Sequence, residues 1–267
     1  MNKEERYKKA EKLAKDELCN AACLCPKIRA AGACDSCAVL ASLREYYATA
    51  EVGILDDYSW DEIADIAATG NAAEKFSIGD EKTCTLYTGE EVTFVILGFN
   101  HDKLQKGGLA GITFGLKELM DGRFEMNADD TNVGGWRDSK MRTVYMERIY
   151  KLLPDELRKH IKTAIKLTGE GDCSEDAEQT ADKLFLFSEK EVFGTTEYAV
   201  SNEGKQYPYF KDASNRIKHR NVTSASNWWL RSPSASYSIS FCYVGSIGHV
   251  NFNTASASFG VCFGFCL

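Results

Sequence analysis

Between Asn2 and about Leu18, the apolar residues Tyr7, Ala10, Leu13, Ala14 and Leu18 recur among charges at a spacing that lines one side of a helix. The stretch 38–52, AVLASLREYYATAEV, reads as a second helix. A third is predicted from Ser59 to Gly70, with Ser59 as N-cap, Glu62 three residues on to complete a capping box, and Gly70 as terminator. The period then changes. Residues 75–80 (KFSIGD), 82–88 (KTCTLYT) and 91–99 (EVTFVILGF) are β-rich and separated by Gly-Asp and Gly-Glu, which predicts two or three antiparallel strands. Residues 107–115, GGLAGITFG, read as a close-packed turn. Residues 138–168 read as two consecutive helices, with Pro154 in the first turn of the second. A strand at 183–188 leads into another capping box, Ser188 with Glu191, and 195–224 is loop-rich. Short alternating segments around Trp229, Phe241, Val244, Val250, Val261, Phe263 and Phe265 predict several twisted strands to the end of the chain. No tandem repeat is present. The order predicts an α+β fold, with residues 1–52 as a small helical Cys-rich module and 53–267 as helices on an antiparallel sheet.

Composition narrows the function classes. The 267 residues carry a net charge of -7, so no global basic field exists to hold nucleic acid. No apolar run approaches the roughly 18 residues of a membrane span, and the first 18 residues lack the apolar core of a secretory signal. The expectation is synthesis in a cytoplasm without membrane insertion. There the ten cysteines are thiols or metal ligands rather than a disulfide framework, and the sequon Asn221-Val222-Thr223 has no consequence. Cys19, Cys23, Cys25, Cys34 and Cys37 fall within nineteen residues. Cys34 and Cys37 can fill two tetrahedral positions, and Cys19 with Cys23, or Cys23 with Cys25, can complete a four-thiolate site. One structural zinc is expected, ahead of an iron–sulfur cluster. The competing reading is that these cysteines are small buried hydrophobes.

No active site assembles from the remaining motifs, and no catalytic residue is expected. The four histidines lie apart in the chain, and neither a G-x-S-x-G serine nor a phosphate-binding loop occurs. His101 and Asp102 in GFNHD can be posed as base or ligand, but a polar turn after a strand is the ordinary reading. In NWWLRSP, adjacent Trp228 and Trp229 on a strand face opposite sides, one into the core and the other at a surface or under a loop. Arg231 beside them reads as a buried hydrogen-bond organiser.

The tail is the anomaly. From Ser234 to Gly260 there is no Lys, Arg, Asp, Glu, Gln, Met or Trp, in a chain whose composition is 27% charged. Together with GGW…SKMR (134–142), LFLFSEKE (184–191), WWLRSP (228–233), the spaced FCYV…G (241–248) and GVCFGFCL (260–267), this region resembles a known family. It is similar to bacterial and phage proteins with a C-type-lectin-like ligand-binding fold that serve as variable proteins of diversity-generating retroelements, in a subgroup akin to formylglycine-generating enzymes. Many such proteins end in GVRPAF; Cys262-Phe263-Gly264 lacks the Arg and Pro. In these systems a reverse transcriptase copies a template repeat with adenine-directed errors into the end of the target gene. Changing the two adenines of an AAC codon never yields Lys, Glu, Gln, Met or Trp, and every residue from Ser234 to Gly260 lies in the reachable set.

The resemblance implies a non-enzymatic binding protein for a protein or cell-surface ligand, set in a phage or prophage particle or a bacterial host. It implies a framework of Phe241, Val244, Gly248, Ala255, Gly260 and Val261. The diversified, ligand-binding positions lie between: Ser236, Tyr237, Ser238, Ile239, Ser240, Tyr243, Ser246, Ile247, His249, Asn251, Phe252, Asn253, Thr254, Ser256, Ser258 and Phe259. The larger of these side chains are expected on one exposed face. A mixture of Tyr, Phe, Ser, Asn and Gly suits recognition by itself, as in antibody loops. Calcium is not expected, because its sites need clustered acidic oxygens. Two alternatives stand: a formylglycine-generating-like oxidative enzyme using Cys262 and Cys266, and a zinc- or redox-sensing regulator using the N-terminal thiols.

Overall fold

The computed structural model of the protein describes residues 55–220 and 224–267. The helical Cys-rich module at 1–52, its five cysteines and the sequon lie outside the described residues. Tyr58–Leu267 forms one compact unit of α+β type.

Helix α1 (Trp60–Ala68) begins with the full capping box, Ser59 accepting from the Glu62 N–H while the Glu62 side chain accepts from Ser59. Its inward residues Trp60, Ile63 and Ala67 are buried. Strands β1 (Glu81–Thr85) and β2 (Glu91–Phe99) pair antiparallel. Residues 75–80, expected as a strand, instead form turns, with Asp80 Oδ2 accepting from the Ser77 N–H. Strand β3 (Ile112–Leu116) is fully buried where a turn was expected; only Gly107 and Gly108, with φ of +92° and +78°, turn the chain. Gly115 serves packing rather than a turn. A Cβ there would meet Leu97 Cδ1 at 2.7 Å and Phe187 Cζ at 2.9 Å.

After β3, helix α2 (Gly135–Asp138), a π-helical stretch Met141–Met146, α3 (Glu147–Leu152) and α4 (Asp155–Arg158) follow. The second expected helix ends there. Residues 164–169 are strand β4 (Ala164–Gly169), paired with β5 (Ala177–Asp182). The helical pattern failed because the buried face of β4 is polar, carrying Lys166 and Thr168, so hydrophobicity does not report its period. Strand β6 (Phe185–Leu186) and helix α5 (Glu189–Phe193), again with its capping box, precede the loop region with its two 3-10 turns. Strands β7 (Trp228–Pro233), β8 (Ser240–Val244), β9 (Val250–Thr254) and β10 (Phe263–Cys266) complete the unit.

The strands form a five-stranded sheet in the order β1-β2-β3-β10-β6, the pair β4-β5, and a three-stranded sheet β7-β8-β9. The last strand is therefore internal. Gly264 of β10 lies opposite Gly115, and the whole stretch from Val261 to Leu267 is buried. Trp60 packs edge-on to Phe94, Phe114 and Phe265 at centroid distances of 6.2, 5.7 and 6.1 Å. Such pairs add about 0.5–1.5 kcal/mol each beyond burial. This aromatic core anchors the C-terminus despite the missing Arg and Pro. Among the described residues no helix is long and apolar enough to cross a membrane.

Candidate functional site

The tail emerges from β7, whose six residues are all buried. Both tryptophans are fully buried, one on each side of the strand. Trp228 stacks on Phe210 at 6.2 Å and donates its Nε1–H to Arg216 O. Trp229 is roofed by Phe259 at 4.6 Å and donates to Phe124 O at 2.7 Å. Neither ring is at a surface, since the sheet is covered on both faces here.

Arg231 ties β7 to the rest of the unit. Its guanidinium donates to Glu191 Oε2 and Oε1 (2.5 and 2.9 Å), Thr168 Oγ1, Leu186 O and Leu167 O. Glu191 thus serves twice, in the capping box of α5 and as counter-ion. Lys166 donates to Asp102 Oδ1 at 2.6 Å and lies 2.7 Å from Glu191 Oε1, while Tyr207 donates to Asp102. Burial alone would raise the Asp102 carboxyl; the Lys166 ammonium and His101 outweigh it and hold it well below the usual carboxylate range. Burial likewise opposes the charge of Glu191, and Arg231 with Lys166 keep its pKa lowered. His101 and Asp102 of the GFNHD motif therefore belong to an internal ion network. Glu203 joins that network, accepting from Ser232 and from the Gly169 N–H, and burial pushes its carboxyl up to about 7.

Beyond Pro233 the chain turns out to the surface, held by a residue far away in sequence. Asn132, itself fully buried, donates Nδ2 hydrogens to Ser240 O (2.8 Å) and Tyr237 O (2.9 Å), with Ser234 O at 3.2 Å; its Oδ1 accepts from the Asp172 N–H. Its backbone N–H reaches Ser238 O at 2.7 Å. One amide thus shapes the loop 234–240. Nothing in the polar stretch around it marks Asn132 before the fold brings the loop to it. Glu189 plays a similar part, its carboxylate accepting backbone N–H bonds from Tyr198 and Ala199 beside the tail.

The expected framework Phe241, Val244, Gly248, Ala255, Gly260 and Val261 is buried throughout. Of the expected ligand-binding positions, Ser236, Tyr237, Ile239, Ser246, Ile247, His249, Asn251, Asn253, Ser256 and Ser258 are exposed, and Ser238, Tyr243, Phe252, Thr254 and Phe259 are half-buried. Ser240 is the exception. It is buried because it shares the packed face of β8 with Cys242 and Val244, and its carbonyl is held by the Ser234 N–H and Asn132. Large apolar side chains stand out into water: Ile247 is 73% exposed, Tyr237 52% and Ile239 45%.

These side chains do not share one face. In the β8–β9 register, Tyr243 opposes Asn251 and Phe241 opposes Asn253, whereas Cys242 opposes Phe252 and Ser240 opposes Thr254. Opposed residues lie on the same side and successive residues on opposite sides. Phe252, stacked on Tyr237 at 4.7 Å and edge-on to Tyr198 at 5.0 Å, is on one side; Asn251, Asn253 and the Tyr243–Phe259 contact at 4.6 Å are on the other. The surface wraps around the outer strand. Next to it, Ile247 to Val250, Ala213 to Ile217 and the end of α5 border a cleft of about 460 Å³.

Cys262 and Cys266 are free and buried, Cys262 donating to Leu116 O and Cys266 lying 3.6 Å from Thr113 Oγ1. Burial raises both thiols. Among the described residues, no group of three or more His, Cys, Asp or Glu side chains is placed to hold a metal ion. Residues 111–267 match the model of a family described as Domain of unknown function (DUF6273). No curated protein and no solved structure matches the chain.

Proposed function

The chain belongs to the DUF6273 family, and we propose that it is a non-enzymatic binding protein whose C-terminal tail recognises a protein or cell-surface ligand. In this reading the α+β unit is a C-type-lectin-like domain, and the tail is the variable region of a diversity-generating retroelement in a phage, prophage or bacterial host. One observation carries the reading: within a charge-free tail, the framework positions are buried and nearly all intervening positions reach solvent. Such a division lets side chains vary without dismantling the core. Ile247, Tyr237 and Ile239 expose apolar area that a partner would cover. Tyr and Phe add rigid contact area while Ser and Asn add adaptable hydrogen bonds.

The decisive observation is genomic. An imperfect repeat of the coding region for residues 226–267 is expected beside a reverse-transcriptase gene, differing chiefly at adenines. Differences scattered over all four bases would overturn the retroelement part. The binding part is tested on the protein: Ile239→Asn, Ile247→Ser and His249→Asn should each change stability by no more than about 0.5 kcal/mol, Tyr237→Ser by about 0.5–1.5 kcal/mol because it gives up the stack on Phe252, and the four together should keep the fold while altering what is bound. Cooperative unfolding lost in this variant would show that the tail is structural.

A further inference from the structure

The sheet β7-β8-β9 ends on β9, and no other strand pairs with the outer edge of β9 among the described residues. Two backbone hydrogen bonds fix which groups point outward. Gly245 N–H donates to His249 O at one end of the hairpin, and Ala255 N–H donates to Ile239 O at the other. Hydrogen-bonded pairs alternate along an antiparallel ladder, so Asn251 and Asn253 turn their backbone groups toward β8. Val250 and Phe252 turn theirs outward, as does Thr254, whose carbonyl already accepts from the Ala257 N–H.

Two of those outward amides are covered by the strand's own side chains. Asn251 Oδ1 accepts from the Phe252 N–H and Asn253 Oδ1 from the Thr254 N–H, both at 2.8 Å. The usual protections of an edge strand are a lysine, a proline, an inward charge or a bulge, and the sequence VNFNT has none of these residues, while its register with β8 runs unbroken. Asparagine is itself disfavoured in strands. Two of them in five residues, each capping the next amide, act as a cover that another carbonyl can replace. The outward groups repeat every roughly 7 Å, twice the rise of a strand. An extended backbone is the chemical partner with that repeat.

We infer that β9 is a docking edge at which an extended, uncharged peptide segment of the ligand protein adds as a fourth strand, displacing the Asn251 and Asn253 side chains. The neighbouring features suit this occupant. Val250 and Phe252 share one side of β9, so every second side chain of an added strand would meet the Phe252–Tyr198 aromatic pair or the cleft bordered by Val250. Main-chain bonds then supply affinity, and the variable side chains around the edge supply choice. The inference rests on the reading of the tail as a recognition surface and narrows its ligand to a protein with an accessible extended segment.

The test uses the intact chain and a phage-displayed library of random linear 12-residue peptides. A recovered peptide is resynthesised with N-methyl groups placed one residue at a time, and its affinity is measured by fluorescence anisotropy. Strand addition predicts loss at every second residue, about tenfold per hydrogen bond removed, with the intervening residues tolerant. Phe252→Pro should lose binding by a similar factor, because it removes an outward N–H without touching the bonds to β8. Should that variant fail to fold, Asn251→Ala decides, since uncovering the Phe252 amide should raise affinity several-fold. A peptide that tolerates N-methylation everywhere but is lost on Ile247→Ser or Tyr237→Ser would overturn strand addition while leaving the tail as the recognition surface. Binding indifferent to every tail substitution would overturn both. A dimer in sedimentation that Phe252→Pro dissociates would make a second copy the occupant and overturn the proposal, as would a library that returns no binder.

Discussion

Replacing Asn132 by Ala removes one buried side chain and should cost more than replacing any exposed residue of the loop it holds. The amide donates to Ser240 O and Tyr237 O and accepts from the Asp172 N–H, at 2.8 to 2.9 Å. An Asn amide has two N–H donors, so these two carbonyls exhaust it and the 3.2 Å approach of Ser234 O is at most shared. Truncation removes all three bonds: the Ser240 carbonyl keeps only the Ser234 N–H, the Tyr237 carbonyl loses its Asn132 donor, and the Asp172 N–H loses its acceptor. At a net of about 0.5–1.5 kcal/mol per hydrogen bond, roughly 1.5–4.5 kcal/mol is lost, less whatever an entering water recovers. That is a large share of the roughly 5–15 kcal/mol that stabilises a domain. Asn132→Asp should be worse than Asn132→Ala, because it directs a charged acceptor at carbonyl oxygens. Urea unfolding of the three proteins gives the order, and amide exchange should show the loop 234–240 opening at denaturant concentrations where β10 is still protected. An Asn132→Ala variant within 0.5 kcal/mol of the parent, or an Asp variant as stable as the parent, would refute the assignment of Asn132 as the anchor of the loop.

Glu203 should make stability fall as pH rises from about 5 to 7. Its folded carboxyl titrates at about 7 against an ordinary 4.5, so in this window the folded state holds a proton the unfolded state has released. The full effect is roughly 3 kcal/mol, reached above pH 7, and Glu203→Gln should flatten the profile measured by urea midpoints. Arg231→Ala should cost about 3–5 kcal/mol by leaving the buried Glu191 and Asp102 to share the single Lys166 ammonium, and Arg231→Lys should rescue little, since an ammonium cannot reproduce the fork that reaches Glu191, Thr168 and Leu186. Thermal unfolding of both variants checks this, and a Lys variant as stable as the parent would count against it. Elemental analysis of the intact chain is expected to return one zinc per molecule, bound by four of Cys19, Cys23, Cys25, Cys34 and Cys37. Absence of stoichiometric metal with all five thiols freely titrating would sink that expectation.

Features set by neighbours in sequence were legible without the fold. Both capping boxes, Ser59 with Glu62 and Ser188 with Glu191, need only a three-residue spacing and form as read. The strands β1 and β2 were legible from their own residues, β1 by alternation and β2 as a near-continuous apolar, β-rich run, properties each segment carries by itself. The charge-free stretch from Ser234 to Gly260 is a fact of sequence, and so is the residue set it draws on. What required the tertiary structure is whatever two distant segments decide together. Strand β3 looked like a turn because its Gly115 answers to Leu97 and Phe187 across the core. Strand β4 looked helical because its hidden face carries Lys166, whose burial is made tolerable only by Asp102 and Glu191 from elsewhere in the chain. Asn132 is an unremarkable polar residue until the loop 234–240 folds over it. The division of the tail between two sides of β9 came from its pairing register with β8, because a strand's own sequence alternates its side chains but does not say which neighbour, edge or solvent each side will meet.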